Sequence, residues 1–275
     1  MRTPVGAVRI ERADGATTTV VDDLLVTEEP LEIRLGHGPL EDRRELQLSV
    51  TMRTPGNDME LALGFLLTEG VIVDREQVLR VAYCEDVAEE ERGNVVRVEL
   101  HPLHSVEPAR WQRNFYTSSS CGVCGKASIE AVRTVCSTDL GKRAALRNEL
   151  ISDLPVRMRE AQTLFKHTGG IHAAALFKAD GELLVLREDV GRHNAVDKVA
   201  GAMLNGGIGT DNTVLLVSGR AGFELVQKSV MMGIPAMAAV GAPSSLAVEL
   251  ARSHGQLLIG FLRGERFNIY SGSIA

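Results

Sequence analysis

The side chains of this sequence best suited to a chemical reaction are the thiols of Cys121 and Cys124, which are separated by two residues. They follow a polar run, Thr-Ser-Ser-Ser at 117–120, and they precede Gly-Lys and then apolar residues at helical spacing. The pair therefore lies at or just before the N-terminus of a predicted helix. There, unpaired backbone N–H groups and the helix dipole favour a thiolate over a thiol, and Lys126 adds a positive charge. The motif predicts an exposed, nucleophilic sulfur beside a second thiol.

The spacing of the two thiols leaves other kinds of site open. A CxxC pair before a helix is also the arrangement of thiol-disulfide oxidoreductases, although no central strand of a thioredoxin-like unit is predicted ahead of it. A zinc-stabilised binding module is a third hypothesis, because His101 and His104 supply a second pair of ligand types at paired spacing. Pro102 lies inside that pair and nothing nearby resembles a compact zinc module, so we expect no permanently bound metal.

The composition is typical of an ordinary soluble protein. Of its 275 residues, 44% are hydrophobic and 24% are charged, which indicates neither disorder nor a membrane span. The N-terminus lacks the apolar segment of a secretory signal, so we expect the cytoplasm and no membrane partner. A formal net charge of −6 argues against a nucleic-acid partner. Four cysteines are too few for a disulfide scaffold, and Cys84 and Cys136 are predicted to be buried packing residues.

The first hundred residues are rich in predicted strands. Alternating apolar and polar residues predict half-exposed antiparallel strands at residues 8–11, 17–21, 31–35 and 46–50. Asn57 or Asp58 is placed to cap a helix that Gly70 ends, and two more strands are predicted at residues 78–83 and 95–100. Residues 138–153 are interpreted as a polar segment.

The C-terminal part changes to alternating strands and helices. Two apolar runs joined by Asp180-Gly181 predict a hairpin, and residues 189–194 open a helix. Strands at 213–217, 234–240 and 256–262 then alternate with helices at 224–232 and 245–253. This alternation predicts an α/β fold whose sheet is at least partly parallel and covered on both faces.

Ligands of such sheets collect beyond the carboxyl ends of the strands. Three loops fall there, at 218–222, 241–245 and 263–266. Each offers glycine-exposed backbone amides and two of them offer arginines, which suits phosphate. None of them is a nucleotide fingerprint, and ordinary connections are an alternative. Residues 188–198 form a polar cluster in which Arg192 and His193 are interpreted as ligand contacts, while Asp197 and Lys198 could face water.

Taken together, several of these segments resemble the formate dehydrogenase accessory sulfurtransferase family, FdhD. The resemblance rests on segments spread over nearly the whole chain, at 29–31, 52–55, 63–70, 121–126, 168–174, 188–198 and 261–266. Each segment alone is weakly diagnostic, but the combination is specific.

The resemblance implies a sulfurtransferase that works as a persulfide carrier. A cysteine desulfurase would load sulfur onto Cys121, and Cys124 would assist its release. The sulfur would pass to the molybdenum or tungsten bis-(molybdopterin guanine dinucleotide) cofactor, bound as cargo, which formate dehydrogenase needs. The family's cofactor-binding run corresponds to Phe261, Leu262, Arg263, Gly264, Glu265 and Arg266. A homodimer is also implied.

The resemblance further implies a C-terminal domain with a cytidine deaminase-like fold. Ala174 stands where those enzymes carry the catalytic glutamate, so deamination is not expected and His172 is predicted to be a structural or pocket residue. The predicted organisation is α/β, or α+β overall. A strand-rich subdomain covers residues 1–115, and a three-layer α/β domain carrying the CxxC loop and the cofactor-binding strand ends covers residues 116–275.

Overall fold

The computed structural model describes residues 3–104, 140–142 and 146–274. Cys121, Cys124 and Cys136 lie outside these ranges, as does the helix predicted after the CxxC motif. The strands of the described residues are β1 Val5–Asp14, β2 Thr17–Val26, β3 Glu29–His37, β4 Arg44–Arg53, β5 Val78–Tyr83, β6 Val95–Leu100, β7 His172–Lys178, β8 Leu183–Asp189, β9 Thr213–Val217, β10 Ala236–Ala239, β11 Leu257–Arg263 and β12 Arg266–Ser271. The α-helices of these ranges are α1 Asp58–Thr68, α2 Asn148–Ala161, α3 Leu164–Thr168, α4 Arg192–Gly206, α5 Phe223–Met231 and α6 Ser245–Ser253.

The N-terminal strands form a two-stranded ribbon and a four-stranded sheet. β1 pairs with β2 alone, whereas the larger sheet has the order β4-β3-β6-β5, with β3 and β6 parallel. Alternate side chains of β3, at Leu31, Ile33 and Leu35, are fully buried, and they join a core to which α1 contributes Leu61 and Leu66. The alternation predicted from the sequence is confirmed: one face of this sheet packs on a helix and the other faces outward.

The C-terminal strands form a six-stranded mixed sheet in the order β12-β11-β10-β9-β7-β8. β9, β10 and β11 are parallel, and the hairpin β7–β8 and the edge strand β12 run antiparallel to their neighbours. α4, α5 and α6 cover one face of the sheet and α2 covers the other. Every residue of β9 is buried, as expected for a strand covered on both sides. The predicted α/β arrangement is confirmed for this part of the chain.

Helices α1 and α4 join the two sheets through a close backbone contact. A Cβ atom at Gly64 would lie 1.7 Å from the carbonyl oxygen of Asp197, and one at Gly201 would lie 1.9 Å from that of Glu60. Real side-chain atoms do not approach so closely, so only glycine permits this crossing. The contact places the start of α4 against the end of β4.

Several expectations need correction. Residues 148–161 form α2, although they fall partly within the segment interpreted as polar, and the edge strand β12 was not predicted. Cys84 is free and only partly buried instead of lying in a core. Within the described ranges, no helix is long and apolar enough to cross a membrane.

Candidate functional site

The carboxyl ends of β9, β10 and β11 meet along one edge of the six-stranded sheet. Because β7 is antiparallel to β9, its first residue, His172, lies at this same edge, and Asp189 at the end of β8 lies opposite His172. The loops that follow β8, β9 and β10 and the β11–β12 hairpin therefore converge there. We refer to this convergence of loops as the strand-end site.

Backbone hydrogen bonds connect the three predicted loops into one continuous surface. The N–H of Gly241 donates to the carbonyl of Gly219 at 2.9 Å, and the N–H of Phe261 donates to the carbonyl of Gly241 at 3.0 Å. Ala221 donates to Ala242 at 3.1 Å, so the first two loops are joined at a second point. The loops predicted to bind phosphate are thus brought together, and their positions are set by main-chain contacts.

Glycine is required where these loops touch. A Cβ atom at Gly241 would lie 2.9 Å from the carbonyl oxygen of Gly219 and 3.0 Å from Cα of Arg220. One at Gly260 would lie 2.7 Å from Cδ of Pro243. Side chains at these two positions would push the loops apart and break the connected surface.

Phe261 has an unusual backbone at the centre of the strand-end site. Its φ angle is 53°, in the left-handed region that residues other than glycine adopt at a cost of about 1–3 kcal/mol. The pairing of β11 with β12 is irregular between Gly260 and Arg263, and Phe261, which lies within this irregular stretch, is 43% exposed. An exposed aromatic ring on a strained strand is suited to stack on a planar ligand.

The β11–β12 hairpin carries the rest of the predicted cofactor run. Phe261, Arg263, Glu265 and Arg266 line a pocket of about 730 Å³ together with Asn268 and neighbouring residues. Leu262 is fully buried in the core, so its side chain faces away from any ligand. Gly264 has a φ angle of 56° and forms the turn.

Arg263 and Arg266 are the charged groups of this pocket best suited to bind an anion. Both are exposed, and no carboxylate of the described residues pairs with either guanidinium group. The pocket therefore joins an aromatic ring to two arginines that form no ion pair within the described ranges, a combination suited to a nucleotide.

His172 lies at the other end of the strand-end site. Its ring lies against Gly219, where a Cβ atom would be 3.5 Å from Cε1 and Nδ1, and the adjacent N–H of Ala173 donates to Oγ of Ser218 at 2.9 Å. Burial lowers the pKa of His172, and the charges of Arg192 and His193 lower it further. The lowered pKa favours the neutral imidazole, and the partly buried ring lies at this end of the strand-end site.

A buried carboxylate holds the loop that carries Arg192. Asp189 accepts hydrogen bonds from the N–H groups of Gly191 at 2.8 Å and Thr54 at 3.1 Å, and its Oδ2 lies 2.7 Å from Nζ of Lys198. Burial raises the pKa of Asp189, while Lys198 and the N–H donors oppose that rise. The alternative that Asp197 and Lys198 face water is wrong, because both side chains are almost fully buried.

His193 and Glu224 form a partly buried pair between the starts of α4 and α5. Nε2 of His193 lies 2.8 Å from Oε2 of Glu224. Arg192, which precedes His193, has no carboxylate partner among the described residues. Arg192 therefore makes no ion pair within the described ranges, and its guanidinium group can meet a ligand.

The histidines proposed for a zinc site have structural partners. Nδ1 of His104 is 3.0 Å from Nε2 of Gln77, and its Nε2 is 3.1 Å from the carbonyl oxygen of Val71. Both ring nitrogens are therefore used, which argues against His104 as a metal ligand. No cluster of three or more His, Cys, Asp or Glu residues suited to a metal occurs within the described ranges.

The sequence is similar to known proteins over most of its length. Residues 26–274 match the FdhD/NarQ family. A sulfur carrier protein FdhD from Streptomyces coelicolor is 51% identical over 265 residues, which cover 94% of this chain and 91% of the relative. The protein of the same name from Mycobacterium tuberculosis is 50% identical over 256 residues, covering 90% of each chain.

A solved structure has the same fold. It is the crystal structure of a protein proposed to be a formate dehydrogenase accessory protein from Desulfotalea psychrophila, and it aligns with a TM-score of 0.73 at 24% identity. The alignment covers 97% of this chain and 96% of that one.

Proposed function

The chain belongs to the FdhD/NarQ family, and from this premise we propose that it is a sulfur carrier that serves formate dehydrogenase in the cytoplasm. It accepts sulfur from a cysteine desulfurase as a persulfide on Cys121 and delivers it to a molybdenum bis-(molybdopterin guanine dinucleotide) cofactor, which is its substrate. The working form is a homodimer. Relatives of about half-identical sequence that carry the name sulfur carrier protein support the first part of this proposal.

The proposal that the protein binds the cofactor rests on the side chains that the β11–β12 hairpin presents. Phe261 presents an exposed ring, and Arg263 and Arg266 present two unpaired guanidinium groups around one pocket. A guanine base stacks on an aromatic face, and arginine forks match the oxygen atoms of a diphosphate. A guanine dinucleotide carries both groups.

The sulfur half of the proposal rests on the chemistry of the CxxC pair. The Cys121 thiolate attacks the terminal sulfur of the desulfurase persulfide, forms a new S–S bond and releases the desulfurase thiolate. For delivery, the Cys124 thiolate attacks the inner sulfur of Cys121 and expels sulfide toward the metal, leaving a Cys121–Cys124 disulfide. A dithiol reductant then reduces this disulfide to two thiols and is itself oxidised to a disulfide. A Cys124→Ala protein that delivers sulfur as fast as the parent would contradict this role for Cys124.

Nucleotide binding tests the cofactor half directly. Isothermal titration calorimetry with GDP, which reproduces one end of the cofactor, should show binding to the parent that weakens about tenfold or more in an Arg263→Gln/Arg266→Gln protein, since each lost guanidinium removes charge-assisted hydrogen bonds. Arg80→Gln, which changes an exposed arginine on β5, serves as a control and should bind like the parent. Equal GDP affinity in all three proteins would overturn the assignment of this pocket.

A further inference from the structure

The two-stranded ribbon of β1 and β2 exposes apolar side chains on both of its faces. Val8 and Leu25 are exposed on one face, and Val20 and Leu24 are exposed on the other. Two strands that lack a further strand or an apolar cover are only marginally stable in water. The ribbon would therefore be stabilised by a partner that extends it into a larger sheet.

β1 forms the free edge of this ribbon. α3 packs against β2, whereas the extensive contact of β1 within the described ranges is with β2. The N–H of Thr27 donates to the carbonyl oxygen of Pro4 at 2.9 Å, so the even-numbered residues of β1 direct their main-chain groups toward β2. The N–H and C=O groups of residues 5, 7, 9, 11 and 13 point away from β2, where a further strand can pair with them.

Arg9 and Glu11 are the charged residues among these outward-directed positions. Both side chains are exposed, and neither forms an ion pair with a described residue. Arg9 lies opposite Asp22 in the ribbon without reaching ion-pair distance, whereas Arg12 lies 3.9 Å from Asp23. Opposite charges two residues apart on one edge are complementary to the same edge running in the opposite direction.

The main-chain pattern restricts how two β1 edges can pair antiparallel. Hydrogen-bonded pairs must join two outward-directed residues, so a two-fold axis has to pass through a residue of β1. An axis at Arg9 or at Glu11 would set that residue against its own copy, and like charges directly opposite are destabilising. An axis at Ile10 sets Arg9 of each copy against Glu11 of the other, and Ile10 against Ile10.

We propose that β1 pairs antiparallel with β1 of a second copy of this chain about a two-fold axis at Ile10, so that two ribbons form one four-stranded sheet. Two reciprocal Arg9–Glu11 pairs select this register, and Val8 and Ile10 of the two copies continue one apolar face. The inference rests on the homodimer of the proposed function and adds the surface that joins the copies. The family match begins at residue 26, so β1 lies before the matched range.

Sedimentation velocity of charge-swapped variants tests the pairing. Arg9→Glu sets like charges against each other at both reciprocal positions and should weaken self-association about tenfold or more. Arg9→Glu/Glu11→Arg restores opposite charges and should associate like the parent. Arg80→Glu, which changes an exposed arginine on β5, is the matched control and should also associate like the parent.

Two results would overturn the inference and separate it from the proposed function. A parent dimer that Arg9→Glu leaves intact, or one that Arg9→Glu weakens and the double swap does not restore, would refute the ribbon interface and leave the homodimer in place. A parent that is a monomer at every concentration would refute both the interface and the homodimer.

Cysteine cross-linking locates the axis independently. Ile10→Cys sets two thiols opposite each other in a pair whose Cα atoms are about 4.5 Å apart, within the range of a disulfide, so mild oxidation should give more covalent dimer than in the parent. Ala13→Cys places its thiol on the same strand but about 20 Å from its counterpart, and should give no more than the parent. Equal cross-linking of the two variants, or none from Ile10→Cys, would contradict an axis at Ile10.

Discussion

Nζ of Lys228 lies 3.0 Å from both carboxylate oxygens of Asp197, in a position closed to solvent. Lys228 also donates to Oγ1 of Thr68 at 2.9 Å, so the pair connects α5, α4 and α1. Burial alone would lower the pKa of Lys228, but Asp197 and Glu69 outweigh it and raise the pKa. The pair is one of the contacts that hold the two sheets together.

Removing the Lys228 charge should destabilise the protein strongly. Lys228→Met leaves Asp197 buried without its cation, and we expect the free energy of unfolding to fall by about 3–5 kcal/mol. Urea denaturation measures this change. Lys178→Met, which breaks the exposed pair with Glu182, is the matched control and should leave stability nearly unchanged. Equal effects of the two substitutions would show that the buried pair has no special role.

The crossing of α1 and α4 should not tolerate a single methyl group. In Gly64→Ala or Gly201→Ala the new Cβ atom would overlap a carbonyl oxygen of the opposite helix, so the helices must separate. We expect a loss of at least about 1–3 kcal/mol, seen as a lower melting temperature. Gly209→Ala has no atom within 4 Å of the new Cβ and should leave the melting temperature unchanged. A Gly64→Ala protein as stable as the parent would contradict the described packing.

The pKa of His172 should respond to Arg192. Burial lowers this pKa most, Arg192 and His193 lower it further, and Asp189 opposes them. In Arg192→Gln the pKa should rise toward the usual value for histidine yet stay below it, because burial remains. Titration of the imidazole resonances by nuclear magnetic resonance measures this. His37, whose pKa burial and other arginines lower, should not change.

Tyr83 should ionise at a higher pH than is usual for a tyrosine. Burial, and then Asp58, which accepts its hydroxyl hydrogen bond at 2.8 Å, together raise its pKa to about 12. The neutral phenol is favoured in the folded state, so its stabilising effect is complete below about pH 10 and is lost as the pH rises toward 12. Ultraviolet titration should show a phenolate transition near pH 12 that is absent in Tyr83→Phe. A transition near pH 10 for Tyr83 would refute the contact.

Local patterns predicted the C-terminal strands and helices well, because each is a short apolar run bounded by glycine or polar residues. Helix α2 was missed because Pro155, a residue that usually ends a helix, lies inside it, and because its exposed face is polar. β12 was missed because it is an edge strand in which half of the residues are exposed, so its sequence lacks a continuous apolar run.

The strand-end site was predicted in part. The sequence located the three loops and the arginines, because the alternation of strands and helices implies where strand ends meet. It could not show that Asp197 and Lys198 are buried, since their partners at Thr68 and Thr54 are more than a hundred residues away. The left-handed backbone of Phe261 also depends on the irregular pairing with β12, which spacing does not reveal.

The central claim is that Cys121 carries sulfur, and intact mass spectrometry tests it most directly. The parent, Cys121→Ala and Cys84→Ala proteins are incubated with a cysteine desulfurase and cysteine and then measured without reductant. The account predicts that the parent and Cys84→Ala gain the mass of one sulfur atom, that a reductant removes this gain, and that Cys121→Ala gains nothing. No gain in the parent, or only the loss of two hydrogens as the two thiols close into a disulfide, would contradict the account and indicate redox chemistry instead.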